Sequence, residues 1–321
     1  LIDLLEDASQ VVYSFSRADT GELVQQSLSM LRRLARQGKI CPTQLADLDP
    51  LVNAMRLFKS EAEVAQMTAA CAISVTAHKR AMSVCKVGMH EYQLAAELHH
   101  QFTTQGSQRL AYGSIVAGGE NACILHYTNN DQVLQDGDLV LIDAGCELDH
   151  YASDITRTFP VNGRFSEAQK TIYELVLAAH EAALACIKPG AVYTDMQDAA
   201  VKVITQGLIE IGLLTGELEQ NIEQQTFRKF YMHNIGHWLG MDVHDVGVYK
   251  LDGASRPLIA GMVTTVEPGI YIDPEDLDIA PQWRGIGVRI EDNILVTDHG
   301  YRNLTANLPV SVADIETIMA S

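Results

Sequence analysis

Basic residues are scarce in this sequence. Its 321 residues include 23 lysines and arginines against 41 aspartates and glutamates, which gives a formal net charge of −18. Proteins that bind the phosphate backbone of nucleic acids need a basic patch. The charge balance therefore argues against a nucleic-acid partner, and it is compatible with a protein that holds divalent cations.

Long apolar runs are also missing, although 47% of the residues are hydrophobic. No run reaches the roughly 20 residues that span a bilayer, so we expect no membrane partner. The composition suffices for a sizeable core, in one large domain or two ordinary ones. The sequence starts at Leu1 without an initiator methionine or signal-peptide features, and we expect a processed or truncated chain.

The cysteines do not cluster, and no C-x-x-C pair occurs among the six positions 41, 71, 85, 123, 146 and 186. A disulfide framework or a zinc knuckle would bring cysteines close together in the sequence. We therefore expect reduced, mostly buried thiols and a cytoplasmic protein.

Residues 1–58 differ in pattern from the rest. The stretch "VVYSFS" predicts a short strand, and "GELVQQSLSMLRRLARQG" predicts an amphipathic helix that ends at Gly38. The following "CPTQLADLDPLVNAMRLFKS" has two prolines and no long period. This segment is typical of the end of one domain followed by a linker.

From residue 59 onward, the order of two helices followed by strands occurs twice. Capping boxes predict the helix starts at Ser60, Ser166 and Thr194, and another helix is expected over residues 91–105. The strand-like stretches are "GSIVAGG", "DLVLIDAG", "DITRTFPV", "GMVTTVEPGIYI" and "GIGVRIEDNILVT". Blocks of helices and strands favour an α+β fold with two related halves.

Carboxylates interrupt these apolar strands at four places: Asp143, Asp154, Glu267 and Glu291. Burying several carboxylates together is costly without a cation. For each acid alone, a position at a strand end in solvent or a pairing with an arginine stays open as an explanation. The nearby Arg157 and Arg289 are too few to neutralise all four, so the set predicts a metal site.

The donor types indicate which metals fit. The stretch "MHNIGHWLGMDVHDVG" adds histidines, and His237 with the four acids supplies one imidazole and four carboxylates. Such a set favours Mn²⁺, Co²⁺ or Fe²⁺ over a thiolate-type zinc site. Five donors exceed the need of one ion, so we expect two ions that share carboxylates and activate a water.

Five segments resemble the Xaa-Pro aminopeptidase (aminopeptidase P) branch of the pita-bread metallopeptidases. They are "ILHYTNN", "LVLIDAGCELDHYASDITRTFPVNG", "MHNIGHWLGMDVHDVG", "VTTVEPGIYI" and "GIGVRIEDN". The resemblance covers about residues 56–310. It implies a pita-bread fold with two pseudo-symmetric halves, two divalent ions such as Mn²⁺, and hydrolysis of the bond between an N-terminal residue and proline.

The resemblance also implies roles for individual residues. The metal ligands would be Asp143, Asp154, His237, Glu267 and Glu291, with Asp154 and Glu291 bridging. His126 and His244 would bind the scissile carbonyl or the tetrahedral intermediate, and Glu267 would also move a proton to the leaving amine. The substrate-binding group would comprise His233 at the proline pocket, with Tyr271 and Arg289 behind it. Structural packing remains an alternative for His126 and His233.

Full-length relatives carry an N-terminal domain, so residues 1–58 would be its remnant plus a linker, and residues 59–321 the catalytic domain. The full-length protein is expected to form a homo-oligomer, a dimer or a tetramer. A prolidase, which takes only dipeptides, is the main alternative. A non-catalytic peptide-binding protein of this fold and a creatinase-like hydrolase are disfavoured, because all five metal ligands are present.

Overall fold

The computed structural model describes residues 1–320, which form two compact units. The first unit is Leu1–Arg56, and the second begins at Leu57. No helix among the described residues is both long enough and apolar enough to cross a bilayer. All six cysteines are free thiols, as the sequence predicts.

The first unit pairs two parallel strands with a long helix. Its elements are α1 (Ile2–Leu5), β1 (Gln10–Tyr13), α2 (Ala18–Arg33) and β2 (Gln44–Asp47), followed by α3 (Asp49–Leu57), whose last residue is the first of the second unit. The apolar face of α2 packs with Leu5 and Val11 into a small core. The predicted end at Gly38 is correct for the whole helical segment, because a 3-10 turn continues from α2 to this glycine, whose φ is 84°.

The second unit begins with two helices and a group of short strands. These are α4 (Glu61–Val84), α5 (Glu91–Thr104), β3 (Arg109–Leu110), β4 (Ile115–Gly118), β5 (Leu139–Asp143), β6 (Cys146–Leu148), β7 (Tyr151–Ala152) and β8 (Thr156–Pro160). Strands β4, β5 and β8 form one antiparallel sheet, and β3, β6 and β7 form another. Helix α4 packs on α5 and on β6.

The same succession then repeats. The elements are α6 (Glu167–Ala185), α7 (Tyr193–Glu210), α8 (Leu218–Glu223), β9 (Lys250–Leu251), β10 (Ala254–Ser255), β11 (Val263–Val266), β12 (Gly269–Tyr271), β13 (Gly287–Arg289), β14 (Asp292–Thr297), β15 (Gly300–Asn303) and α9 (Val312–Met319). Strands β11, β14 and β15 form an antiparallel sheet, and β12 pairs with β13. The predicted order of helices and strands is confirmed.

A backbone bridge beside the acids is one of the contacts that join the two halves. Thr156 at the start of β8 forms an isolated antiparallel bridge with Glu291, which lies between β13 and β14. The backbone N–H of Glu291 donates to the carbonyl of Thr156 at 3.1 Å. One continuous core joins the helices and strands of both halves, so the acids of the first half face those of the second.

One helix start differs from its prediction. The capping boxes at Ser60 and Ser166 are both present, but α7 begins before Thr194, with Val192 as its N-cap. Asp195 accepts the N-cap N–H at 2.9 Å. Gln197, expected in the cap, instead accepts from the backbone N–H of Ile235. Asp195 is three residues after Val192, so its carboxylate can bind the N-cap N–H and stabilise a helix start at Tyr193 rather than after Thr194.

Candidate metal centre and active site

Asp143 is the last residue of β5, as predicted, and two side chains hold its carboxylate. Tyr112 donates its hydroxyl to Oδ1 at 2.5 Å, and Arg289 donates to Oδ2 at 2.7 Å. The same tyrosine hydroxyl also contacts Asp154. Burial raises the pKa of Asp143, with a further contribution from Asp154, and Arg289 opposes this increase.

Asp154 lies two residues before β8, whereas the sequence predicts a strand that begins at Asp154. Its side chain is almost completely buried, and its backbone N–H donates to Asn293 at 3.0 Å. His237 Nε2 lies 3.3 Å from its Oδ2. Burial acts to raise the pKa of Asp154, but the hydrogen bond and charge of His237 outweigh burial and lower it.

His237 is oriented by a backbone carbonyl. Its Nδ1 lies 3.0 Å from the carbonyl oxygen of Trp238, which can only accept, so Nδ1 carries a proton. Nε2 then points at Asp154 and at Glu267, 3.7 Å away. Although burial opposes protonation, these carboxylates raise the pKa of His237 to about 9. The proton on Nε2 stands where a metal cation would bind.

The surroundings of Glu291 are the clearest sign that this site suits a cation. Its side chain is 1% exposed, and Oε2 accepts from the hydroxyl of Thr156 at 2.6 Å. Its other oxygen, Oε1, is buried without a hydrogen-bond partner among the described residues. Burial, with the charges of the neighbouring acids, raises the pKa of Glu291 well above its usual value. An orphaned carboxylate oxygen of this kind fits a metal ligand.

Glu267 follows β11 and completes the group of acids. Its backbone N–H donates to Ile235 at 2.8 Å, outside the strand ladder, and its side chain is about one-fifth exposed. Burial raises the pKa of Glu267 to about 7, while His237 and Arg289 act in the opposite direction. Four carboxylates thus share one arginine and one histidine.

The donor set fits divalent metal ions. Single ligand atoms of Asp154, His237 and Glu291 lie within 4.8 Å of one another. Arg157, which the sequence left as a candidate cation for the acids, pairs instead with Asp292 at 2.8 Å. Arg157 therefore does not neutralise the excess negative charge of the four site carboxylates.

Two glycines allow the chain segments of the site to approach closely. A Cβ atom at Gly145 would collide with the carbonyl of Ser153, and one at Gly236 would collide with the carbonyl of Thr265. Gly236 precedes His237, whose N–H donates to the hydroxyl of Thr265 at 3.1 Å. Both positions therefore require glycine for steric reasons rather than for backbone conformation.

A cavity of about 640 Å³ opens over the acids. Nine of the ten residues predicted for the site line it: His126, Asp143, Asp154, His233, His237, His244, Glu267, Arg289 and Glu291. Tyr271 does not line this cavity and is 2% exposed. The fold therefore brings together side chains that are spread over most of the second unit.

His233 forms a hydrogen-bonded chain with Tyr271 and Arg289. Its Nδ1 lies 2.8 Å from the carbonyl of Asn234, and its Nε2 lies 2.8 Å from the hydroxyl of Tyr271. Arg289 donates to the same hydroxyl at 2.9 Å. Burial, with Arg289, lowers the pKa of His233 to about 4. The ring is therefore neutral, with the proton on Nδ1, and it packs on Tyr231.

The other two histidines lie at the mouth of the cavity. His244 is exposed, and its ring centroid is 4.3 Å from that of His237. Partial burial, with His237, lowers the pKa of His244. His126 is also exposed and lies in the irregular segment after β4. Its ring is therefore not a core histidine, which removes the packing alternative for this residue.

Several residues that hold the site were not found from the sequence. Tyr112 joins Asp143 to Asp154, Thr156 holds Glu291, and Asn293 binds the backbone of Asp154 through both atoms of its amide. A fully buried ion pair, Lys59 with Asp245 at 3.0 Å, supports the segment beside His244. No local pattern marks these residues, because each acts across a long separation in the sequence.

The sequence pattern of metallopeptidase family M24 matches residues 65–298. The chain is 48% identical to Xaa-Pro aminopeptidase of Escherichia coli over 93% of this chain and 67% of that protein. It is 51% identical to Xaa-Pro aminopeptidase of Haemophilus influenzae over 86% of this chain and 64% of that protein. The chain thus spans about two thirds of the length of these relatives.

Solved structures agree with the sequence comparisons. Aminopeptidase PepP of Pseudomonas aeruginosa superposes with a TM-score of 0.98 at 51% identity, over 99% of this chain and 72% of that one. An Escherichia coli aminopeptidase P variant in complex with substrate gives a TM-score of 0.96 at 46% identity, with the same coverage. The predicted pita-bread fold and the resemblance to aminopeptidase P are confirmed, and the chain belongs to metallopeptidase family M24.

Proposed function

We propose that this chain carries the catalytic machinery of an Xaa-Pro aminopeptidase, which hydrolyses the bond between an N-terminal residue and a following proline. The main support for this proposal is one cavity that is lined by the four predicted ligand carboxylates, the ligand histidine and three further histidines. A site rather than a fold determines function, and this one combines metal donors with groups for a peptide carbonyl.

Five side chains would hold two divalent ions: Asp143, Asp154, His237, Glu267 and Glu291. The resemblance implies that Asp154 and Glu291 would be shared between the ions, and ligand atoms of both residues lie within 4.8 Å of one another and of His237. Oxygen-rich donors with one nitrogen favour Mn²⁺. When bound, such ions polarise a carbonyl and activate a water at neutral pH.

His126 and His244 would donate hydrogen bonds to the scissile carbonyl as negative charge develops on it. A lowered pKa keeps His244 neutral near pH 7, so the ring offers an N–H without carrying a charge of its own. Donors placed at a developing oxyanion commonly contribute about 3 kcal/mol each. Both rings are exposed to the cavity, where a substrate carbonyl can reach them.

Glu267 would transfer the proton to the leaving amine of proline. Its side chain is about one-fifth exposed, so its carboxylate can exchange a proton with groups in the cavity. Its position between His237 and the open cavity lets it reach both the water and the departing nitrogen.

The proline ring would pack against His233. Because Tyr271 and Arg289 hold this imidazole in one tautomer, the ring is a fixed, neutral wall rather than a mobile cation. Proline provides no amide N–H, so a flat hydrophobic surface selects it better than a hydrogen-bond acceptor would. The substrate's free amine would lie near the acidic cluster, and efficient cleavage of N-acetylated peptide would contradict that placement.

The remaining features of the full protein are proposals from the resemblance. Residues 1–58 would be the remnant of an N-terminal domain plus a linker, and the full-length protein would form a homo-oligomer, a dimer or a tetramer, in the cytoplasm. The substrates would be peptides with proline at the second position. The acidic net charge of −18 argues against nucleic-acid partners.

Hydrolysis of two matched peptides tests the proposed function. Protein stripped of metal and reloaded with Mn²⁺ is given Ala-Pro and Ala-Pro-Ala at equal concentration. We expect cleavage of the Ala-Pro bond in the tripeptide at the higher kcat/KM. Cleavage confined to the dipeptide would make the protein a prolidase. Cleavage of neither peptide by the full-length protein with metal bound would refute the substrate assignment.

A further inference from the structure

Glu91 is a buried carboxylate that the proposed reaction does not use. It is the first residue of α5, it is 0% exposed, and it accepts four hydrogen bonds. Oε1 accepts from the backbone N–H of Gly118 at 2.8 Å and from the amide of Asn121 at 3.0 Å. Oε2 accepts from the hydroxyl of Tyr127 at 2.8 Å and from the backbone N–H of Gln132 at 2.9 Å.

All four donors lie in or directly beside the segment that carries His126. We define residues 119–132 as the His126 loop. Gly118, the last residue of β4, directly precedes this loop, Gln132 is its last residue, and Tyr127 is the residue next to His126. Because the loop has only a short 3-10 turn and no strand pairing of its own over most of its length, side-chain anchors set its path.

The anchoring bonds are strong ones. A carboxylate that accepts from N–H and O–H groups makes charge-assisted hydrogen bonds, which are roughly twice as strong as neutral ones. Burial and the charge of Glu91 raise the pKa of Tyr127, so its hydroxyl keeps the proton that it donates. Asn130 adds a separate contact, since its amide binds Ser114 and Val116.

We propose that Glu91 is a positioning residue for His126: it holds the His126 loop at both ends and at Tyr127, and thereby places the His126 ring at the scissile carbonyl. This inference rests on the proposed function, in which His126 contacts the reacting group. Displacement of a catalytic group by about 1 Å can cost roughly 100-fold in rate, so an anchor adjacent to His126 has a direct influence on turnover.

The variant Glu91→Gln removes the negative charge of the carboxylate with little change in side-chain volume. Each carboxylate oxygen accepts from one backbone N–H, so the amide NH₂ must face a backbone donor in either orientation. Tyr127→Phe is a milder variant that removes one donor and leaves Glu91 intact. Tyr151→Phe is a matched control, because Tyr151 donates to Glu63 at the same 2.8 Å outside the cavity.

Two measurements are compared on Mn²⁺-loaded protein. Hydrogen–deuterium exchange followed by peptide mapping reports on the His126 loop without reference to activity. Steady-state hydrolysis of Ala-Pro-Ala is measured for Glu91→Gln, His126→Ala and the double variant. We expect faster exchange confined to residues 119–132 in Glu91→Gln, and a kcat lower by about 10- to 100-fold with KM little changed.

The double variant decides whether the effect passes through His126. If Glu91 acts by placing this ring, the double variant should have nearly the same kcat as His126→Ala alone. We expect Tyr127→Phe to show the same pattern on a smaller scale, and Tyr151→Phe to match wild type in both measurements.

An undiminished loss of kcat in the His126→Ala background would overturn the proposal, as would unchanged exchange in the loop. If wild-type protein cleaves no Xaa-Pro peptide, the proposed function fails instead. The exchange data then still decide whether Glu91 anchors the loop, and unaltered exchange in Glu91→Gln would refute that as well.

Discussion

At the scale of single residues, hydroxyl groups determine how the carboxylates of the metal centre are held. Thr156 is 0% exposed, donates to Glu291 at 2.6 Å and accepts from Arg289 at 3.3 Å. Groups that orient metal ligands commonly contribute 10- to 100-fold to metal affinity. We therefore predict that Thr156→Val lowers Mn²⁺ affinity by about 10- to 100-fold, measured by calorimetric titration of the stripped protein.

Thr158 offers the matched control for that prediction. It lies on the same strand, is equally buried, and donates its hydroxyl to the carbonyl of Arg289 at 3.0 Å rather than to a ligand. We expect Thr158→Val to lower stability with little effect on Mn²⁺ affinity. Equal losses of affinity in the two variants would show that burial alone, and not the orientation of Glu291, accounts for the effect.

At the scale of secondary-structure elements, the sequence locates the site residues better than it predicts the strands around them. "GMVTTVEPGIYI" and "GIGVRIEDNILVT" predict two continuous strands, but each breaks at its glutamate. Pro268 lacks an N–H for the ladder. The N–H of Glu267 donates to Ile235, and that of Glu291 donates to Thr156. These partners come from distant segments, so local periodicity does not reveal the breaks.

The close approach of Gly236 to Thr265 also allows a prediction. A Cβ at Gly236 would collide with the Thr265 carbonyl of the segment that leads to Glu267. Gly236→Ala should therefore lower the free energy of unfolding by about 1–3 kcal/mol and weaken Mn²⁺ binding, as urea denaturation and titration would measure. Gly113→Ala, where a Cβ meets no atom within 4 Å, should keep wild-type stability. Equal stability of the two variants would contradict the steric assignment.

At the scale of the whole molecule, two buried histidines link stability to pH. His78 and His180 lie in the core, and burial lowers the pKa of each from 6.5 to about 4. His180 Nε2 lies 3.4 Å from Asp292, but the lowered pKa makes this a contact of a neutral ring near pH 7. Between pH 6.5 and 4 the unfolded chain binds more protons than the folded one. The free energy of unfolding therefore falls as pH decreases through this window, by about 3 kcal/mol per histidine.

The variant His78→Gln tests this linkage, since the amide can donate to the carbonyl of Ala144, as the ring does at 3.0 Å. Urea denaturation at a series of pH values should show a shallower slope between pH 6.5 and 4 than in wild type. Thr205→Val, a buried change in α7 without a titrating group, should lower stability equally at all these pH values. A slope that is unchanged in His78→Gln would refute the assignment.

The sequence predicts the order of elements, and nine of the ten residues that it proposes for the site line one cavity, because capping boxes, apolar periods and the family motifs are local. It does not predict the residues that hold the site together. Tyr112 reaches Asp154 across 42 positions, and Thr156 reaches Glu291 across 135. Such pairings follow from tertiary packing, which no short pattern encodes.

The central claim is that the five predicted ligands bind two divalent ions that are required for Xaa-Pro hydrolysis. The most direct measurement titrates stripped protein with Mn²⁺ while following bound metal and cleavage of Ala-Pro-Ala in the same samples. We predict no cleavage without metal and a rise to full activity as two ions bind per chain. Full activity in the stripped protein, or saturation at two bound ions with no cleavage of Ala-Pro-Ala, would contradict this claim.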